Sequence, residues 1–104
     1  MVIPRQGEIW WAEAEDKRRP VLIVTRSEAV PLLHRIVVAT ITRTVRGIPT
    51  EIRLGSEQGL PAECVASFDA LQPISKSFLT TRVGSLGPLG PTQICAALEA
   101  FADC

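Results

Sequence analysis

The chain has 104 residues, 46% of them hydrophobic and 21% charged, and its eleven basic residues balance its eleven acidic ones. This is the composition of an ordinary soluble globular domain, and a chain of this size buries about two-thirds of its unfolded surface without needing disulfides or a metal. No apolar run approaches the roughly 20 residues that cross a bilayer, the first eleven residues lack a signal peptide's apolar core, and three widely spaced cysteines with a single histidine make neither a disulfide framework nor a zinc site. A single domain spanning 1–104 is therefore expected, cytoplasmic, without metal or other cofactor, with reduced thiols of which Cys104 is exposed.

Gly7 to Glu13 reads as a first strand, with Ile9 and Trp11 on one face and Trp10 on the other. At least one tryptophan belongs to the core; the other is open to a base stack or a subunit contact. Glu15 to Arg19 reads as a short charged loop, and Pro20 as the first residue of a second strand, a tolerated position for proline. Val21 to Thr25 is an unbroken apolar run, as expected of a strand buried on both faces. Ser27 to His34 is a loop with room for one helical turn, and His34 reads as a surface residue.

Arg35 to Thr44 is the third strand, Arg46 to Pro49 a turn, and Thr50 to Leu54 a weaker edge strand. After a loop from Gly55 to Pro61, Glu63 to Phe68 forms another strand, with Cys64 a buried thiol, and Leu71 to Ile74 extends it beyond a bend. Ser75 is placed to cap a single turn over Lys76 to Leu79. Arg82 to Leu86 is a short last strand. Ile94, Ala97, Leu98 and Phe101 repeat at the spacing of one apolar helix face, so the chain closes on a helix whose start lies near Pro88 or Pro91. The fold class is mainly β with a C-terminal helix, a small and strongly bent sheet or partial barrel.

Net neutrality conceals an asymmetry. Residues 17–53 hold eight basic against two acidic residues, a net of +6, between flanks of −3 each. Arg18-Arg19-Pro20 runs straight into the second strand, and Thr42-Arg43-Thr44-Val45-Arg46 closes the third. A strand core does not need arginines at its ends. One reading is a local anion site; the other is that scattered arginines keep strand edges soluble.

Several segments carry a resemblance. Gly7-Glu8-Ile9-Trp10-Trp11, Arg19-Pro20-Val21-Leu22-Ile23-Val24, Ile41-Thr42, Cys64 through Ile74, Arg82-Val83-Gly84-Ser85-Leu86 and Ala97-Leu98 follow, in order, motifs of the MazF/PemK family of bacterial toxin ribonucleases. The chain resembles that family over nearly its whole length. The resemblance implies an SH3-like barrel and a homodimer. It implies a metal-independent mRNA interferase that cleaves single-stranded RNA at a short sequence, with messenger RNA the first target and ribosomal or transfer RNA the alternatives, and a cognate MazE-like antitoxin whose disordered C-terminal segment lies across the RNA groove.

By position, Arg19 and Thr42 match the paired catalytic residues. Thr25 and Arg26 match positions after the second strand, close to the site, and Asp69 and Gln72 a segment that contacts RNA. Lys17, Arg18, Arg43 and Arg46 are further expected RNA-binding residues. The chemistry is compatible: RNA carries its own nucleophile in the 2′-hydroxyl, and a guanidinium grips a phosphate through two parallel hydrogen bonds. Glu15, Asp16 and Asp69 are the carboxylates available as a base. The first loop, Ala14 to Arg18, is shorter than in many members, so no glutamate carries over from that stretch.

Two other functions are weighed. The gyrase-poisoning toxins of the CcdB type share the barrel, but they use a tryptophan near the end of the last helix, where this chain has Phe101-Ala102-Asp103-Cys104. A non-catalytic nucleic-acid-binding barrel is the other.

Overall fold

The computed structural model describes residues 3–14 and 16–102; Glu15 and Cys104, both singled out above, lie outside them. Among the described residues, six antiparallel strands form one sheet: β1 (Glu8–Ala14), β2 (Lys17–Ile23), β3 (Arg35–Thr42), β4 (Glu51–Leu54), β5 (Cys64–Ser75) and β6 (Leu79–Ser85), in the order β4-β5-β3-β2-β1-β6. One helix, α1 (Gly90–Phe101), follows, with Pro91 in its first turn. Short 3₁₀ turns lie at Val30–Leu32, Ser56–Gln58 and Lys76–Phe78. Ser75 caps the last of these by accepting a hydrogen bond from the Ser77 backbone. The mainly β fold with a terminal helix, and β4 as an edge strand, are as expected from the sequence.

The strands bury both faces by alternation. In β1 and β2, Ile9 and Leu22 enter one apolar cluster with Ala39, Ile41, Ile52, Phe68 and the helix residues Ile94 and Ala97. Trp10, Val21 and Ile23 enter a second cluster on the opposite face with Val30, Ile36, Val38 and Leu79. Phe68 is fully buried, a contribution of roughly 1.5–3 kcal/mol. Cys64 is buried as expected; burial pushes its thiol pKa up, although Arg43 pulls in the other direction.

Four sequence expectations need correction. Lys17, Arg18 and Arg19 are not loop: Lys17 already pairs with Ala14, so β2 begins at Lys17. Pro20 is consequently the fourth residue of β2, not its first. It sits opposite Trp11 in the stretch where β2 pairs only with β1, because the β2–β3 ladder begins at Val21 and Thr40. A proline has no N–H to give a second neighbour, so it is tolerated on such an open side. Third, β6 begins at Leu79 rather than Arg82. Finally, the helix face does not stay in the core to its end, since Phe101 is 49% exposed while Ile94 and Ala97 are buried.

The bend expected between Phe68 and Leu71 is a register slip inside one continuous strand. Ala39 pairs with Leu71, but the next β3 residue, Thr40, pairs with Ser67. Phe68, Asp69 and Ala70 therefore face no β3 residue. Such an insertion bends a strand and raises its twist.

The sheet curls until its two ends meet. Beyond β4, the turn at Gln58 and Gly59 presses on Val83 and Gly84 of the opposite edge strand, β6. A Cβ on Gly84 would collide with the Gln58 backbone oxygen, and one on Gly59, whose φ is +84°, would lie 2.7 Å from the Val83 carbonyl oxygen. Only glycines allow this closure.

Candidate nucleic-acid interface

The start of β2 splits its three cations between the two faces of the sheet, because neighbouring strand residues point opposite ways. Lys17 and Arg19 line a cleft of about 360 Å³ with Val21, Thr40, Gln72 and Phe78. Arg18 lines a second cleft, about 290 Å³, with Trp11, Thr42, Arg43, Pro61 and Cys64. Arg19 and Thr42, the expected catalytic pair, line different clefts, although Thr42 has the strand parity of Thr40, which lies in the Arg19 cleft. They are close in register all the same: each lies two residues beyond the last β2–β3 pair, Val21 and Thr40, at the same end of the ladder.

The polar groups of the two clefts differ in how far they are already engaged. Arg18 lies over the Trp11 ring, 4.3 Å from its centroid, and its Nε is 3.7 Å from a Glu13 carboxylate oxygen. Lys17, Arg19 and Arg43 make no ion pair with a described residue. Thr42 Oγ1 accepts a hydrogen bond from the Thr44 backbone N–H, which leaves its own proton to donate. Thr40 Oγ1 donates to the Ala70 carbonyl at 3.2 Å and accepts from Gln72 Nε2 at 3.4 Å.

The remaining expected site residues lie elsewhere. Thr25 and Arg26 follow the far end of β2, some seven residues from Arg19, roughly 20 Å along an extended chain. There Thr25 Oγ1 accepts from the Val37 N–H, and the Arg26 carbonyl accepts from Ala29 and Val30. Asp69 stands on the β5 bulge, its carboxylate accepting from the Thr50 hydroxyl at 2.6 Å. Arg46 is exposed in the segment after β3, which is pinned where the Glu51 carboxylate accepts from the Arg46 and Gly47 backbone N–H groups. His34 is exposed, as expected, and lines neither cleft. Asp16 is exposed beside Lys17.

Residues 5–102 match the family described as PemK-like, MazF-like toxin of type II toxin–antitoxin systems. The chain belongs to that family. It is 39% identical over 105 residues to the probable endoribonuclease MazF5 of Mycobacterium tuberculosis, covering 98% of this chain and 95% of that one. Its fold is similar to the solved Mycobacterium tuberculosis toxin MazF-mt6, with a TM-score of 0.81 and 38% identity over 90% of this chain and 95% of the other. It also resembles a mycobacterial endoribonuclease solved in complex with its cognate antitoxin, with a TM-score of 0.78 and 25% identity over 92% and 91% of the two chains.

Within this family fold, sequence reasoning passed over Thr40 and Phe78 in the Arg19 cleft and the Leu60–Ala62 wall of the other. Thr40 had a signal, since it shares the strand alternation of Thr42. Phe78 and the Leu60–Ala62 segment had none, because they arrive through turns whose placement depends on distant strands. The described residues contain no helix long and apolar enough to cross a membrane.

Proposed function

We propose that the protein is the toxin of a toxin–antitoxin pair and an endoribonuclease that cuts single-stranded RNA, messenger RNA in particular, at a short sequence without a metal. The observation that carries this reading is the junction of β2 and β3: Arg19, free of any ion pair with a described residue, and Thr42, whose hydroxyl proton is uncommitted, leave that end of the ladder from neighbouring strands. Arg19 binds the non-bridging oxygens of the scissile phosphate, and its fork geometry is retained as charge accumulates on them. Thr42 donates a further hydrogen bond to the same group. The substrate's 2′-oxygen loses its proton and bonds to phosphorus while the bond from phosphorus to the 5′-oxygen breaks and that oxygen gains a proton. The products are a 2′,3′-cyclic phosphate and a 5′-hydroxyl. Lys17, Arg18, Arg43 and Arg46 supply backbone attraction that carries no sequence information by itself.

In this reading the protein works as a homodimer and is held inactive by a MazE-like antitoxin; the mycobacterial relative solved in complex with its cognate antitoxin supports an antitoxin as partner. The test is incubation of purified protein with single-stranded RNA in excess EDTA. Fragments ending in cyclic phosphate are expected. Cleavage that EDTA abolishes, or ends carrying 3′-hydroxyl and 5′-phosphate, would sink the mechanism.

A further inference from the structure

The Arg19 cleft holds more than a phosphate grip. A threonine hydroxyl has one proton, and Thr40 directs it to the Ala70 carbonyl. Toward Gln72 it therefore presents only lone pairs, and the amide must meet it with nitrogen, as observed. That choice leaves the amide oxygen and the second N–H of Gln72 unspent in the cleft. The exposed ring of Phe78 borders the same space, as do the cations Lys17 and Arg19. An aromatic face, an oriented donor–acceptor pair and two cations are the three parts a nucleotide requires. The volume of about 360 Å³ is at the small end of the range for ligand sites.

We propose that this cleft is a subsite for one nucleotide of the RNA strand: Phe78 stacks on the base, Gln72 reads its edge, Thr40 sets the polarity of the amide, and Lys17 with Arg19 holds the adjoining phosphate. The inference rests on the RNA-cleaving function proposed above. Its content is selectivity between two classes of base. Adenine and cytosine offer an exocyclic amine beside a ring-nitrogen acceptor; guanine and uracil offer a ring N–H beside a carbonyl. An amide that turns over serves both classes, whereas one pinned by nitrogen to Thr40 serves the class whose donor and acceptor fall in the matching order. Gln72 is thus the specificity-determining residue and Thr40 a positioning residue that acts through it.

The experiment uses a pool of single-stranded RNA randomised around the cut, with the fragment ends sequenced, for the parent and for Thr40→Val, Thr40→Ser and Gln72→Ala. At one position the parent is expected to prefer one class about tenfold, the discrimination a well-made pair of base-edge hydrogen bonds gives. Thr40→Val and Gln72→Ala should bring that preference to about twofold or less at the same position, while Thr40→Ser, which keeps the hydroxyl, retains it. A loss caused only by disturbed packing would appear in the serine variant as well. Profiles of Thr40→Val and Gln72→Ala that match the parent at every position, or a parent with no class preference, overturn the proposal. If the parent retains RNA without cutting it, the nuclease reading fails, and the same comparison is made on the RNA retained from the pool. If it neither cuts nor retains RNA, both fail.

Discussion

The two clefts at the start of β2 hold similar side chains in different states. On one face, Arg18 is already occupied by the Trp11 ring and the Glu13 carboxylate. On the other, Lys17 and Arg19 have no ion-pair partner among the described residues. Adjacent arginines in one strand thus acquire different work from the alternation of the backbone alone. A pre-engaged guanidinium has to surrender contacts before it takes a phosphate. An unengaged one has only its water to exchange, so transition-state charge falls more readily to Arg19.

The comparison breaks most sharply on the two arginines themselves. Arg19→Ala should lower RNA cleavage by about a hundredfold or more, with little change in melting temperature, since the side chain is exposed. Arg18→Ala should cost far less in rate. Equal losses from the two variants in single-turnover assays would mean that the clefts are equivalent. Thr42→Ala should cost about tenfold, the worth of one hydrogen bond to a charged group, and Thr42→Ser should restore most of it. A serine variant as slow as the alanine one would assign Thr42 to packing rather than donation.

The smallest effect on cleavage is expected at Glu8, which borders neither cleft. Burial works against ionisation of its carboxyl, yet hydrogen bonds from the Trp10 ring, the Arg5 backbone and Arg82 outweigh it and hold the pKa below the usual value of 4.5. A carboxylate with a depressed folded-state pKa contributes stability that is complete above the unfolded value and is lost as pH falls through the folded one. Glu8→Gln should therefore destabilise the fold at pH 7 by roughly 1–3 kcal/mol, and the gap from the parent should close as the medium is acidified below about pH 4.5. Urea melts between pH 7 and pH 2.5 read this directly; a gap that persists at the acid end would show that ionisation is not the source.

Much of the fold was legible because it is written in short periods. The alternation of Ile9, Trp10 and Trp11, the doubly buried Val21–Val24 run and the helical spacing of Ile94, Ala97 and Leu98 each involve neighbours within a turn or two of chain. The family motifs singled out Arg19 and Thr42, and the charge tally located the basic block around them. The errors fell where a second element decides. Lys17 to Arg19 look like loop until β1 offers a pairing partner, and Pro20 looks like a strand start until β3 is seen to arrive one residue later.

By itself, then, the sequence determined the strands, the helix, the family and the basic segment, since local periodicity and ordered motifs need no knowledge of what packs against them. Tertiary structure alone decided the rest. The slip in β5 lets Thr40 face Ser67 while its hydroxyl reaches Ala70 and Gln72, some thirty residues away. The contacts of Gly59 with Val83 and of Gly84 with Gln58 across the closing sheet are settled in the same way. Register and closure are collective: they follow from how all six strands share two apolar clusters, and no short stretch of chain contains that information.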